Sequence, residues 1–395
     1  MKVAIITNTC YEEIIPLAKY LSADIDVDLF SIVSGSGAGK ELLFEKDDLW
    51  KKERYGLVLD INKKKYIVDE FNNYVDSGFD MHAVYFKSLA YFHPKNFYVI
   101  RNFINYLRNE KYELIHFNTN TQLIFFVKYY LPSIPIVITI HDPLPHLGEK
   151  KKPFAFLNRF TSRLKNATYI LHSNYSLSIF DTINKNRSKR FMIPFGNHEW
   201  LFEYKKENSE RKYGLILFIG RISKYKGIEV LLQSFREVKG NIPDAHLIIA
   251  GNGNYWFDYS EFVRKDGVEI INRYIPNNEI VKLIGEAHLV VLPYLEATQS
   301  GVVSTVFTFC KPIVATRTGG IPEVVINAKT GLLAEPNNSM ELANEIIHIL
   351  KSEALYNNMV LNISSMFNEG ELSWHEISKK TIEVYFNVLN KVKTN

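Results

Sequence analysis

The chain has 395 residues, 46% of them apolar and 23% charged. At roughly 100–200 residues per domain this excludes a hormone, a disulfide mini-protein or a small binding module, and points to two domains or one large one. Basic residues exceed acidic ones by 47 to 43, a net charge of +4, too small an excess for a dedicated nucleic-acid binder.

Short apolar runs alternate with amphipathic segments, the pattern of α/β sheets with parallel strands. The run Val3 to Ile6 has four residues, against about 7–15 in a signal peptide, and is expected to be a first strand. Further strands are expected at Val27 to Val33, Leu114 to Phe117, Ile136 to Ile140, Tyr169 to His172 and Phe191 to Ile193. Phe97, Ile100, Ile104 and Leu107 fall on one face of a helix between them. The Lys/Asp-rich stretch from Gly35 to Lys65 is read as hairpin or loop. Asp24, Asp26 and Asp28 alternate as a solvated strand face would. Residues 131–190 carry ten basic and three acidic side chains, a local attraction for anions. Within them Lys150 to Pro153 precedes an apolar stripe of Phe154, Leu157, Phe160 and Leu164. That segment, 150–165, fits a basic amphipathic helix on an anionic membrane or an ordinary surface helix docked on its own domain.

Residues 203–212 are polar and without apolar period, and read as a linker between two Rossmann-like domains, 1–202 and 213–373. The second half places strands at Leu215 to Ile219, Leu247 to Ala250, Val268 to Ile271, Leu289 to Leu292 and Ile313 to Thr316. Its clearest helix runs from Gly227 to Lys239, with Ile228, Leu231, Leu232, Phe235 and Val238 on one face. An amphipathic segment in 374–395 is expected to pack back across the linker and complete the first domain. No apolar stretch reaches the roughly 18–20 residues that cross a bilayer. Cys10 and Cys310, the two cysteines, form no disulfide framework or CxxC pair, so a reducing compartment is expected.

Open α/β sheets bind ligands beyond the carboxyl ends of their strands. Beyond Ile219 comes Gly220-Arg221-Ile222-Ser223-Lys224-Tyr225-Lys226-Gly227, and an Arg fork with a Lys point charge at a helix start suits a diphosphate. The other reading is a pair of solvated cations, which the helix dipole would oppose. Beyond Leu292, Thr298 or Ser300 can cap the next helix, and the amides of Ser300 and Gly301 are open to a phosphate. Glu296 at the strand tip is placed to accept hydrogen bonds from sugar hydroxyls. His141, at the end of Ile136 to Ile140 beside Asp142, can orient a hydroxyl or be held structurally by a loop carbonyl. His116 and His172 end neighbouring strands as weaker candidates. The Gly35 to Lys40 run mimics a phosphate loop but has Glu41 where Ser or Thr is needed, and no HExxH spacing argues for zinc.

GR(x)4KG at 220–227, IIAGNG at 248–253, LPYLEATQSG at 292–301, KPIVAT at 311–316 and GGIPEVV(x)4TGLL at 319–333 together resemble the family 4 glycosyltransferases of the GT-B fold. The resemblance implies two Rossmann-like domains facing across a cleft, with parallel sheets. It also implies transfer of a sugar from a UDP- or GDP-sugar to an acceptor hydroxyl, retention of anomeric configuration, and no metal or other cofactor. Arg221 and Lys226 match the positions that hold the donor diphosphate. Gly253, Tyr274, Ile275, Glu296, Thr298, Gln299, Ser300, Gly301 and Thr305 are the further donor-side residues it implies, with His141 and Asp142 on the acceptor side. Two glutamates with seven residues between them are common in the family. Here Ala297 and Thr305 stand at those places, with Glu296 one residue early, and Phe195 replaces the histidine of the Pro-His-Gly turn. The family's pattern places such enzymes at the cytoplasmic face of the membrane in bacterial surface-polysaccharide assembly, acting on a glycan or lipid-linked glycan and not on nucleic acid. A sugar-nucleotide epimerase or hydrolase, or a degenerate member that binds without turnover, are the alternatives.

Overall fold

The structure is a computed structural model that describes residues 1–34, 56–58, 74, 77–87, 91–144, 161, 164, 167–184, 189–205, 209–265 and 267–394. Its first sheet contains β1 (Lys2–Thr7), β2 (Asp26–Ser34), β3 (Gly56–Val58), β4 (Asp80–Phe86), β5 (Leu114–Phe117), β6 (Ile136–Thr139), β7 (Ala167–Leu171) and β8 (Arg190–Met192). Their order is β3-β4-β2-β1-β5-β6-β7-β8, parallel except for the antiparallel edge strand β3. The second sheet holds β9 (Leu215–Ile219), β10 (His246–Gly251), β11 (Val268–Asn272), β12 (Leu289–Leu292), β13 (Ile313–Thr316) and β14 (Gly331–Ala334) in the order β11-β10-β9-β12-β13-β14. All its pairings are parallel. Two doubly wound parallel sheets of this kind make the GT-B fold, as the motifs imply.

Strand order reverses between β1 and β5 in one sheet and between β9 and β12 in the other. The crevice beyond such a switch point is where this architecture takes ligands. The chain therefore delivers residues 8–10 and 118–120 to one side and residues 220–227 and 293–301 to the other.

The helices pack as their periodicity requires. They are α1 (Tyr11–Leu21), α2 (Phe97–Asn109), α3 (Leu123–Tyr130), α4 (Asn174–Ile183), α5 (Ile228–Asn241), α6 (Ser260–Lys265), α7 (Asn277–Glu286), α8 (Gly301–Thr308), α9 (Ser339–Lys351), α10 (Glu353–Asn368) and α11 (Trp374–Thr394). α2 buries Ile100, Ile104 and Leu107 as expected, whereas Phe97, in its first turn, overhangs the core and is half exposed. The terminal helix α11 lays Trp374, Ile377, Val384, Tyr385 and Val388 against the same core as β1 and α1. Its Tyr385 hydroxyl meets Nδ1 of His116 at 2.7 Å, and Nε2 of His116 meets Thr139 Oγ1 at 2.8 Å. Burial, followed by the charge of His141, drives His116 down to about 3. It is thus a neutral structural link and not a cleft group.

Asp28 departs from the solvated face expected of it. β2 is paired on both sides, by β1 and β4, so Asp28 is buried and accepts a hydrogen bond from Tyr112. Burial alone would raise its carboxyl, but His82, Tyr112 and Lys2 hold it below its ordinary value. β4 and β14 escape sequence reading because Asp80, His82 and Tyr85 interrupt one apolar run and β14 is only four residues opening on Gly331. Of the Gly35 to Lys65 stretch only β3 is described, and of 150–165 only Thr161 and Leu164. The rest of both lies outside the described residues. Among the described residues no helix is long and apolar enough to cross a membrane.

Candidate active site

The segment after β9 turns through a single 3₁₀ turn at Lys224–Lys226 before α5 begins. Gly227 adopts φ 67°, and a Cβ there would stand 1.8 Å from the Pro293 carbonyl oxygen. Only glycine allows the two switch-point loops to approach so closely. The approach stacks Lys226 Nζ over the Tyr294 ring, 3.6 Å from its centroid, and 4.9 Å from that of Tyr225. The Tyr294 hydroxyl in turn lies 3.3 Å from Ser300 Oγ, at the N-cap of α8. Arg221 reaches back to donate to the Tyr225 hydroxyl at 2.9 Å. Arg221, Lys226, Ser300 and Gly301 are thereby gathered around two tyrosines at the start of α8.

Lys226 is only 9% exposed. Burial brings its ammonium down to about 8; Tyr225 and Asp142 oppose that fall, and Arg221 adds to it. A cation held in such a place is poised for an anion. Two expected capping roles are otherwise spent. Ser300 occupies the N-cap position without a side-chain cap, its hydroxyl being near Tyr294, and the Thr298 hydroxyl donates to the Asp142 carboxylate across the crevice.

Gly253 forms an isolated bridge with Ile222, which sets the 251–253 turn beside the Arg221 loop. Glu296 is half buried beyond β12. Gln299 Oε1 is buried with no hydrogen-bond partner among the described residues, an acceptor for which a ligand hydroxyl or amide would be the natural donor. Thr305 is engaged by the helix, donating to the Gly301 carbonyl at 3.1 Å with His198 Nδ1 at 2.9 Å. Tyr274 is 72% exposed, Ile275 is buried, and Arg273 between β11 and α7 is paired with Glu279 at 2.8 Å.

On the opposite wall His141 follows β6. Its Nε2 is 2.8 Å from the Asn118 carbonyl oxygen, an acceptor only, so the proton sits on Nε2. Nδ1 faces Glu13 Oε2 at 3.7 Å. The carboxyl of Glu13 is raised well above its ordinary range, chiefly by burial, with His141 opposing and the acidic neighbours Cys10, Glu12 and Asp142 adding. The Cys10 thiol is pushed up to about 12, again chiefly by burial. Glu13 from α1 thus brings a second carboxyl to the His141 ring, one that sequence proximity does not suggest. Phe195, in place of the expected histidine, stacks on His172 at 3.9 Å.

The two domains are joined by more than the Asp142–Thr298 contact. Glu323 accepts from the backbone N–H groups of Asn174 at 2.7 Å and Tyr175 at 2.8 Å. A carboxylate of the second domain thus caps the N-terminus of α4 in the first, where the helix dipole favours it. Nothing in sequence assigns Glu323 this role beyond its place after Pro322. Replacing Glu323 by Ala is expected to remove a capping interaction of about 1 kcal/mol, read as roughly fivefold faster amide exchange at Asn174 and Tyr175 with α9 unchanged.

The model of the family described as Glycosyl transferases group 1 matches residues 202–366, the half that carries Arg221, Lys226 and α8. An uncharacterized glycosyltransferase of Methanocaldococcus jannaschii is 29% identical over 230 residues, which are 56% of this chain and 60% of that protein. The phosphatidylinositol N-acetylglucosaminyltransferase GPI3 subunit of Saccharomyces cerevisiae is 26% identical over 195 residues, 46% of this chain and 41% of that one. These matches thus span less than two thirds of either relative. Across 98% of this chain and 100% of the other, the fold is similar to that of Anabaena HepE, solved in complex with UDP, with a TM-score of 0.66 at 17% identity. The fold is GT-B, with two Rossmann-like sheets, and the half of the chain built on the second sheet is similar to the group 1 glycosyl transferases.

Proposed function

We propose that this protein transfers a glycosyl group from a nucleoside diphosphate sugar to an acceptor hydroxyl with retention of configuration. The observation that carries this reading is the nine-tenths-buried Lys226 cation on the Tyr294 ring, beside Arg221 and the start of α8. Support also comes from HepE, whose structures hold UDP and UDP-glucose. In the reaction the bond from the anomeric carbon to the diphosphate oxygen breaks and the electron pair leaves with the diphosphate. The acceptor oxygen bonds to that carbon, and its proton passes to the departing phosphate. Arg221, Lys226 and the α8 amides stabilise the charge that builds on the leaving group, an effect preorganised before the reaction begins. Gln299 and Glu296 face the sugar hydroxyls, and His141 and Asp142 rim the acceptor side. Domain closure excludes water and limits hydrolysis. The transfer itself uses no metal. The acceptor is a glycan or lipid-linked glycan, in surface-polysaccharide assembly at the cytoplasmic face of a membrane.

A panel of UDP- and GDP-sugars, followed by melting and then by product analysis with and without acceptor, tests the reading. One nucleotide class should raise the melting midpoint, and glycoside should form only when acceptor is present; hydrolysis or epimerisation alone would replace the reading. The diphosphate needs charged Lys226, so nucleotide affinity should be flat below pH 8 and fall about tenfold per unit above it. The sign for stability is opposite. Because the folded-state value, about 8, lies below that of the unfolded chain, the unliganded protein binds fewer protons than the unfolded one above pH 8. Its stability should rise from there towards pH 10.5 as the buried charge is discharged. Lys226→Met should abolish both dependences.

A further inference from the structure

The loop leaving β1 turns at Cys10, a residue with a Cβ in the left-handed region at φ 59° and ψ 42°. That unfavourable backbone places the thiol one helical turn from Glu13 and against His141, which arrives from β6 on the neighbouring side of the switch point. Donor atoms of Cys10, Glu13 and His141 all lie within 4.8 Å of one another, and the edge from His141 Nδ1 to Glu13 Oε2 measures 3.7 Å. A tetrahedral zinc ion with ligands at about 2.0–2.3 Å needs donor atoms about 3.3–3.8 Å apart. One edge already has that length, and the others are within about 1 Å of it.

The protonation pattern of the ring fits as well. The Asn118 carbonyl fixes the hydrogen on Nε2 and leaves the Nδ1 lone pair pointing at the other two donors. A backbone carbonyl on the far nitrogen is the arrangement that orients an imidazole for a metal. A second, independent observation is an unpartnered carboxylate oxygen at this corner. Glu12 Oε2 is buried with no hydrogen-bond partner among the described residues, and Glu12 and Asp142 both act electrostatically on Cys10 and on Glu13. Mixed sulfur, nitrogen and oxygen donors, three in number, suit zinc with one open position. Magnesium and calcium take all-oxygen sets.

We infer that Cys10, Glu13 and His141 bind one divalent cation of the zinc class at the crevice wall, beside the Asp142–Thr298 contact. On binding, the sulfur–metal bond forms as the thiol proton leaves to solvent, with no change of oxidation state. The site shares His141 with the acceptor wall, but the bonds made and broken in glycosyl transfer do not involve the metal.

The test titrates the full-length, metal-stripped protein with Co²⁺ and then Zn²⁺. One equivalent of Co²⁺ should produce a thiolate-to-cobalt charge-transfer absorption with proton release, and Zn²⁺ should erase it. Cys10→Ser should lose the absorption, while Cys310→Ser, at the other cysteine, should keep it. Glu13→Gln should retain the absorption but bind at least tenfold more weakly; it preserves side-chain volume and carries the test if Cys10→Ser melts early. Absence of the thiolate absorption in the parent protein, or unchanged affinity in Glu13→Gln with an unchanged melting point, overturns the inference. Neither readout uses a nucleotide sugar, so failure here leaves the transfer reading standing, and failure of transfer leaves the metal titration interpretable.

Discussion

Replacing Lys226 by methionine should lower glycosyl transfer by about a thousandfold, the loss seen when one preorganised charge-stabilising donor is removed, while the protein becomes no less stable. The two halves of this expectation have one cause. Lys226 is 9% exposed and its ammonium sits near 8 instead of 10.5. At about 1.4 kcal/mol per unit, the folded chain keeps that cation at a cost of roughly 3 kcal/mol, which the Tyr294 ring offsets only in part. An apolar side chain of similar length removes the cost and loses the function. Initial rates with the cognate nucleotide sugar, and melting at pH 7, measure both. Arg221→Ala should slow transfer comparably with little change in melting, because Arg221 is exposed. Near-normal turnover in both variants would refute the diphosphate site.

Gly227→Ala should be nearly as damaging by a different route. Its new methyl group would lie 1.8 Å from the Pro293 oxygen and 2.9 Å from the Pro293 carbonyl carbon, on a backbone at φ 67°. Neither loop can yield without moving Lys226 away from Tyr294. A destabilisation of about 3 kcal/mol is expected, with at least a hundredfold loss of transfer in the fraction that remains folded, since misplacing a catalytic group by about 1 Å costs that much. Gly240→Ala is the matched control. It lies within α5 with nothing within 4 Å of the added Cβ, and alanine there should stabilise by about 0.5–1 kcal/mol. Denaturant titration of both variants tests the contrast in sign.

Much of this was legible in the residues. The parallel-strand runs, the α5 stripe and the glycine and proline punctuation around 220–227 and 293–301 are local signals, because backbone propensity and apolar period act over a few residues. They suffice to put Arg221, Lys226, Ser300 and Gly301 beyond the carboxyl ends of strands. Asp28 was misjudged because alternation shows only which residues share a face, while its burial depends on β4 pairing along the other edge of β2. Of the two residues that could cap α8, Ser300 takes the N-cap position, and Thr298 instead meets Asp142, a partner 156 residues away that no local signal reveals.

The amino-acid sequence by itself determined the two-sheet α/β architecture, the family-bearing motifs and the side of each strand on which chemistry must lie. These follow from short-range periodicity and from the few turns that glycine and proline permit. Tertiary structure alone decided the partners: Tyr294 beneath Lys226, Glu13 and Cys10 against His141, and Glu323 on the foot of α4. Contacts between residues more than sixty positions apart are set by how strands order within a sheet and how the two sheets face each other, and no local pattern encodes that geometry.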